Sequence, residues 1–361
     1  MKVGIVWLPN VWKSTLFNAL TKTYAADAQN FPFCTIEPNV GIVNVNDERL
    51  EKIAKVVNTK KIVPATCEFI DIAGIVKWAN KGEGLWNKFL ANIRQTDAIL
   101  QVVRAFQDSK INHVHGKVDP KEDVEVINSE LILADLSTVE NKMKSIEKKA
   151  KMDKKTAKIY EIYNKVKNHL EKWNLVITLD LPDEEKNVIR NLYLLTSKPF
   201  IYALNVSEDQ LDLSEDKLRK MIWIYDKKIP VVAVCAKLEE DMIDFDENER
   251  KEFLQEMWIK STGVDNLIKT AYDALGLQYF FTAWEKEVRA WTIKKGATAF
   301  EAAGVIHTDF QKWFIKSDVV NWKDLVEYWG WAKAKEAGKV RLEGKDYVVQ
   351  DWDIMLFKFN V

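Results

Sequence analysis

Val3-Gly4-Ile5-Val6-Trp7-Leu8-Pro9-Asn10-Val11-Trp12-Lys13-Ser14-Thr15 has the layout of a phosphate-binding loop with the wrong residue at two positions. The pattern is G-x-x-x-x-G-K-[ST]: a strand, a glycine-rich turn and a helix N-terminus whose backbone N–H groups cradle phosphates. Strand, spacing, lysine and hydroxyl all match, but Trp7 and Trp12 stand where glycine belongs. The backbone there must bend tightly and approach a polyanion, which glycine permits and a side chain obstructs. Either the chain has lost this site, or these two letters differ from the residues the cell inserts.

Other tryptophans bear on the choice. Trp86, in Lys81-Gly82-Glu83-Gly84-Leu85-Trp86-Asn87-Lys88, continues the glycine rhythm of a flexible loop. Trp352 follows Asp351 between two alternating apolar runs, where Asp-Gly is the strongest hairpin signal. Trp173 ends a long helical pattern, where a left-handed glycine cap is expected, and Trp329-Gly330 occupies a turn. The chain has 14 Trp against 13 Gly, an excess of one and a deficit of the other. Replacement in one direction, always at turns and loops, has the signature of a decoding event. The codon UGA is read as tryptophan in some bacterial codes and as glycine in others. These positions therefore read as glycine codons translated with the wrong table. Genuine tryptophans in a degenerate site are the competing possibility, and UGG codons at positions 7 and 12 would establish it.

A chain of 361 residues is long enough for two or three domains with real cores. Hydrophobic content of 47% and charged content of 30% are ordinary for a soluble globular protein. A formal net charge of −1 excludes a globally basic nucleic-acid binder but leaves local patches open. No apolar run approaches the ~18 to 20 residues that span a bilayer. The N-terminus runs straight into a buried-type strand with no signal peptide. Cys34, Cys67 and Cys235 are odd in number and lack metal-ligand spacing. The expected compartment is the cytoplasm, with no membrane partner and no DNA specificity.

Residues 1 to about 127 alternate strands with helices: strand Lys2 to Val6, helix Lys13 to Thr21, strand Thr66 to Ile70 ending in Asp71-Ile72-Ala73-Gly74, and strand Ala98 to Arg104. Such alternation implies an α/β fold with a parallel, doubly wound sheet. From about 128 to 198 the pattern is helical, nearly free of glycine and dense in lysine from Lys142 to Lys172, as in an inserted helical hairpin. The α/β pattern returns with strands Phe200 to Asn205 and Val231 to Cys235. After about 278, short strands at Val340 to Leu342, Lys345 to Val349 and Ile354 to Phe359 suggest a small β-rich module.

Within the loop, Asn10, Val11, Trp12, Lys13, Ser14 and Thr15 are the candidate phosphate contacts. Lys13 should reach the β- and γ-phosphates and Ser14 should ligate Mg²⁺. Asp71, at the tip of an apolar strand, is placed to hold the metal through water, and Gly74 can offer its N–H to the γ-phosphate. Thr35, in Pro32-Phe33-Cys34-Thr35-Ile36-Glu37-Pro38-Asn39, is either a switch residue closing over Mg²⁺ or a plain loop residue. Asn205-Val206-Ser207-Glu208 lies just past a strand, where a regulatory GTPase carries Asn-Lys-x-Asp. Glu208 is one methylene longer than the guanine-reading Asp and does not make the same bidentate contact. A missing buried hydrogen bond costs about 1 to 3 kcal/mol, enough to remove the guanine preference. ATP is therefore the expected nucleotide.

These motifs carry a resemblance. Leu8-Pro9-Asn10-Val11, Asn30-Phe31-Pro32-Phe33-Cys34-Thr35-Ile36-Glu37-Pro38-Asn39, Asp71-Ile72-Ala73-Gly74-Ile75-Val76, Lys81-Gly82-Glu83-Gly84, Asn87-Lys88-Phe89-Leu90, Asn205-Val206-Ser207-Glu208 and Arg341-Leu342-Glu343-Gly344-Lys345-Asp346-Tyr347 together resemble the Obg-like ATPase family. This is the YchF type of the translation-factor-related P-loop GTPases. The resemblance implies a P-loop G domain over 1–127 and 199–277, an inserted helical hairpin over 128–198, and a C-terminal TGS module of β-grasp type over 278–361. It also implies that Trp7, Trp12, Trp78, Trp86, Trp258, Trp284, Trp313, Trp329 and Trp352 fall on family glycines, whereas Trp291 and Trp331 look genuine.

Ile75 stands where Ras-like enzymes place a water-orienting Gln, and an apolar side chain does not orient water. The resemblance implies His113 as the substitute; His115 competes, and both could be solvated loop histidines. Slow intrinsic hydrolysis is expected, as for a switch awaiting a partner. The Lys142 to Lys172 lysines suit salt-sensitive contacts to RNA or a ribosome, at its large subunit, or form a solvated helix face. The TGS resemblance favours the ribosomal partner. Cys34 is either a redox-sensitive thiol or a packed small hydrophobe. Two functions remain: a slow ATPase, with weaker GTP hydrolysis, switching in translation or stress; or a ribosome- or RNA-binding protein with a dead nucleotide site.

Overall fold

The computed structural model describes all residues except 9, 10, 12, 24–39, 73–82, 107–117, 258, 260, 360 and 361. It divides into two compact units, and among the described residues the chain enters the second at Ile42, returns to the first at Glu68 and leaves it again at Leu275. The strands in chain order are β1 Lys2–Trp7, β2 Val40–Val45, β3 Ile62–Val63, β4 Ala65–Asp71, β5 Ala98–Arg104, β6 Phe200–Asn205 and β7 Val231–Val234. They continue with β8 Leu277–Ala283, β9 Val288–Lys294, β10 Phe314–Asn321, β11 Arg341–Glu343 and β12 Asp353–Phe359.

The first sheet has the order β2-β4-β1-β5-β6-β7. Its pairs β4–β1, β1–β5, β5–β6 and β6–β7 are all parallel. Parallel strands covered on both faces are continuous apolar runs, and β5 and β6 are buried at every residue. The helices up to residue 274 are α1 Lys13–Asn18, α2 Glu48–Val57, α3 Glu83–Arg94, α4 Pro120–Ala150, α5 Lys154–Leu170, α6 Asp183–Arg190, α7 Glu215–Ile222, α8 Ala236–Asp241, α9 Glu247–Glu256 and α10 Gly263–Ala274. Of these, α2 belongs to the second unit.

The stretch from Glu83 is helical, not the flexible loop expected around Trp86. Its glycines masked an amphipathic repeat in which Phe89, Leu90 and Ile93 are buried. The inserted hairpin is α4 and α5. Asp119 caps α4 by accepting from Glu122 N at 3.2 Å, with Pro120 in the first turn. Asp153 caps α5 by accepting from Thr156 N at 3.0 Å and from its hydroxyl at 2.6 Å. Buried Asp135 anchors α4, accepting from Leu195 N at 2.8 Å and Thr196 N and Oγ1 at 2.7 Å each. Burial still raises its pKa, against the pull of those bonds.

The second unit carries the sheet β11-β10-β12-β8-β9-β3. The β8–β9 and β10–β12 pairs are antiparallel, and β12–β8 is parallel. The helix α11 Ala299–Ile306 packs its small face, Ala299, Ala302 and Ala303, into a core with Phe280, Val319 and Met355. This is a β-grasp arrangement; α12 Thr308–Lys312, α13 Trp322–Glu327 and α14 Trp331–Glu336 complete it. Lys345 to Val349 is not the strand expected, since Val348 makes an isolated bridge to Thr298. Nor does Trp352 turn a hairpin, because β11 and β12 flank β10 rather than pairing with each other.

Five non-glycine residues have positive φ among the described residues, and three are tryptophans: Trp173 at 59°, Trp223 at 56° and Trp329 at 53°. Side chains cost roughly 1–2 kcal/mol in this left-handed region, and glycine does not. Each follows or ends a helix, and each indole is largely in solvent. Trp173→Gly is therefore expected to raise stability by about 1 kcal/mol, while Trp173→Ala, which keeps a Cβ, gains little. Urea unfolding of both variants checks this, and an equal gain from alanine would contradict it.

Candidate nucleotide site

The candidate residues gather where the parallel strands end. In a doubly wound sheet, ligands bind outside the carboxyl ends of the strands. The β1–β4 register sets Ile5 opposite Asp71, and the β6–β7 register sets Asn205 opposite Val234. Trp7, Asp71, Asn205 and the residues after Val234 thus share one edge. Trp7 is only 7% exposed at the tip of β1. Val11 is buried, α1 starts at Lys13, Ser14 is exposed and Thr15 half-buried. Asn10, Trp12, Thr35, Gly74, Ile75, His113 and His115 lie outside the described residues, as does Cys34.

Asn205 joins two loops. Its Nδ2 donates to Val11 O at 3.1 Å, and its Oδ1 accepts from Ala236 N at 3.0 Å. With Asn205 almost fully buried, both bonds act where unpaired polar atoms are costly. Val206 is buried beside it and donates its N–H to Val234 O at 2.9 Å. Glu208 opens a short helical turn capped by Ser207, whose N–H and hydroxyl donate to Gln210 Oε1 at 3.3 and 3.0 Å. Its carboxylate accepts from Lys237 Nζ at 3.0 Å.

Ala236 and Lys237 were not singled out in the sequence, and Cys235 was read only as a strand end and a cysteine without metal spacing. The available signal was their place directly after the apolar strand Val231–Val234. Behind it, Glu239 is buried, accepts from Val264 N at 3.0 Å and lies 3.5 Å from an Arg250 nitrogen. Burial outweighs these partners and pushes its pKa up to about 7. Gly263 lets α10 lie against β7: a Cβ there would come within 2.7 Å of Val234 Cα. Burial also pushes the Cys235 thiol up, which makes it an unreactive packing residue.

Residues 2–206 match the family model described as 50S ribosome-binding GTPase, more than half of the chain. Residues 277–360 match the YchF-GTPase C-terminal model, described as a protein of unknown function. The chain belongs to the YchF family. It is 51% identical over 365 residues to the Ribosome-binding ATPase YchF of Bacillus subtilis, covering 100% of both chains. To the protein of that name from Escherichia coli O157:H7 it is 51% identical over 363 residues, covering 100% of this chain and 99% of the relative. The solved structure of the Schizosaccharomyces pombe YchF GTPase is 38% identical, with a TM-score of 0.89 over 99% of this chain and 97% of that one. The P-loop fold with its C-terminal β-grasp domain, expected from the sequence, is thereby a YchF fold. No helix among the described residues is long and apolar enough to cross a membrane.

Oxygen donors suit Mg²⁺, and the YchF chain offers the Ser14 hydroxyl at the start of α1 and the Asp71 carboxylate at the end of β4. No cluster of three or more metal-binding side chains occurs among the described residues.

Proposed function

We propose that this chain is a slow ATP hydrolase that prefers ATP to GTP and switches on the ribosome, in translation or in stress. One observation carries the nucleotide reading: Asn205 bonds both the phosphate loop at Val11 and the 235–237 loop at Ala236. A single side chain thereby links the phosphate end to the base end. Asn10, Val11, Lys13, Ser14, Thr15 and Gly74 would surround the phosphates, with Asn205, Val206 and Glu208 at the base. Ser14, Thr35 and Asp71 would hold Mg²⁺, which when bound neutralises charge on the phosphate oxygens. Lys13 does the same for the β- and γ-phosphates, and His113 would orient the attacking water.

For this reading positions 7 and 12 carry glycine in the working enzyme. The left-handed backbones at Trp173, Trp223 and Trp329 support glycine identity at tryptophan positions generally. The division of labour is a nucleotide domain over 1–127 and 199–277, less Ile42–Cys67, which the expected boundaries missed and which belongs to the second unit, a hairpin over 128–198 and a TGS module over 278–361. The relatives' name, ribosome-binding ATPase, supports both partner and substrate. The hairpin end presents exposed Lys142, Lys144, Lys148 and Lys149 on α4 and Lys154, Lys155 and Lys158 on α5. Their charge suits RNA phosphates, as on the large ribosomal subunit. The cytoplasm is the matching compartment.

Lys13→Ala in the glycine-restored chain tests the site. Affinity for ATP should fall by at least about tenfold, because a charge-assisted phosphate contact is worth roughly 1.5–3 kcal/mol. Unchanged affinity by calorimetry would place nucleotide binding elsewhere. Genuine tryptophans at 7 and 12 would favour the second function, a ribosome- or RNA-binding protein with a dead nucleotide site.

A further inference from the structure

We infer that Lys237 is a specificity-determining residue, holding one oxygen of Glu208 so that the base end accepts adenine and disfavours guanine. This deepens the proposed ATP site and rests on it. The two side chains come from different strand ends: Glu208 follows β6, and Lys237 opens α8 behind β7. Their backbones are fixed by separate hydrogen bonds. Glu208 sits in the Ser207–Gln210 capped turn, and Ala236 is bonded through its N–H to Asn205 Oδ1. The Lys237 Nζ to Glu208 Oε1 distance is 3.0 Å.

Hydrogen-bond accounting then separates the bases. The guanine edge presents two adjacent donors, N1–H and the exocyclic N2–H, and one acceptor, O6. A free carboxylate matches both donors with its two oxygens. With Oε1 already bonded to the ammonium, one of the two Glu208 oxygens is engaged, and the pair of guanine donors is matched less well. The adenine edge presents one donor, the exocyclic N6–H, and one acceptor, N1. The remaining Glu208 oxygen matches the donor, and the Lys237 ammonium, with three protons, matches N1. Glu208 therefore reads adenine as half of an ion pair. The longer side chain alone explains a weakened guanine contact; the Lys237 pairing adds a positive match for adenine.

Both side chains are more than a third exposed, so the discrimination expected is about tenfold rather than a thousandfold. The experiment is competition binding of ATP and GTP to the full-length chain with glycine at 7 and 12, and to Lys237→Met, Lys237→Arg and Glu208→Gln in that background. The parent is expected to prefer ATP. Lys237→Met is expected to lower the ATP-to-GTP affinity ratio by about tenfold, chiefly through weaker ATP binding. Lys237→Arg, which keeps a cation for the carboxylate, should hold the ratio within about threefold. In Glu208→Gln, which has no carboxylate to hold, adding Lys237→Met should lower the ratio by less than it does beside Glu208, since only the contact to adenine N1 is then lost. A ratio unchanged by Lys237→Met, or a parallel loss of both nucleotides, overturns the assignment, the latter making Lys237 a general phosphate or folding charge. A parent that binds neither nucleotide overturns the ATP-site reading itself, a failure recognisable because it precedes any change in ratio.

Discussion

With glycine in place of Trp7 and Trp12, ATP affinity rises by at least about a hundredfold over the chain carrying both tryptophans. The loop must bring several backbone N–H groups onto phosphate oxygens, and each such charge-assisted bond contributes roughly 1.5–3 kcal/mol. Losing two of them already exceeds the ~2.7 kcal/mol that corresponds to a hundredfold. Trp7 occupies the tip of β1, and Val11, one residue before Trp12, is fixed by the bond from Asn205. Trp7 and Val11 are therefore both held in place. Calorimetric titration of both chains with Mg²⁺-ATP measures the difference. Equal affinities would mean the tryptophans are compatible with the site and the glycine argument is wrong.

In the glycine-restored chain, His113→Ala lowers the ATP hydrolysis rate by about a hundredfold, the lower end for a positioned acid–base group. ATP affinity stays within a few-fold, because the side chain acts on water rather than on phosphate or base. The reasoning starts from Ile75, which has no group to orient water at the position where Ras-like enzymes use Gln. His115→Ala is the internal comparison and should change little. Single-turnover hydrolysis separates the two effects. Hydrolysis at the parent rate in His113→Ala would assign the step to the substrate itself or to another residue.

Much of the fold was legible because buried parallel strands are written plainly. Ala98 to Arg104 and Phe200 to Asn205 match β5 and β6 residue for residue, since both faces of each strand demand apolar side chains. The hairpin was legible through its helical periodicity, its scarcity of glycine and its lysine density, whereas its aspartate caps came only from the structure. The α3 helix was hidden because Gly82, Gly84 and Trp86 suggested a loop, while its burial depends on only a few apolar positions. In the C-terminal unit, β11 and β12 both find their partner in β10, and long-range pairing of that kind leaves no local pattern.

The candidate site was legible only as local patterns. Strand-end motifs such as Asn205 to Glu208 and the lysine after the loop stand out because each is a compact local pattern. Contacts that depend on two strand ends meeting do not. The Asn205 link to Val11 spans 194 positions, and the Lys237 partner of Glu208 is 29 residues away. Trp223 escaped notice for another reason: α7 is short, so its left-handed cap became evident only from the backbone angle.

The most direct measurement is ADP formation from Mg²⁺-ATP by the glycine-restored chain, run beside its Lys13→Ala variant. The account predicts slow multiple turnover in the parent, with the activity lost in Lys13→Ala at the same ATP concentration. No turnover in a parent that is folded and saturated with ATP, or equal turnover in the two chains, would contradict it.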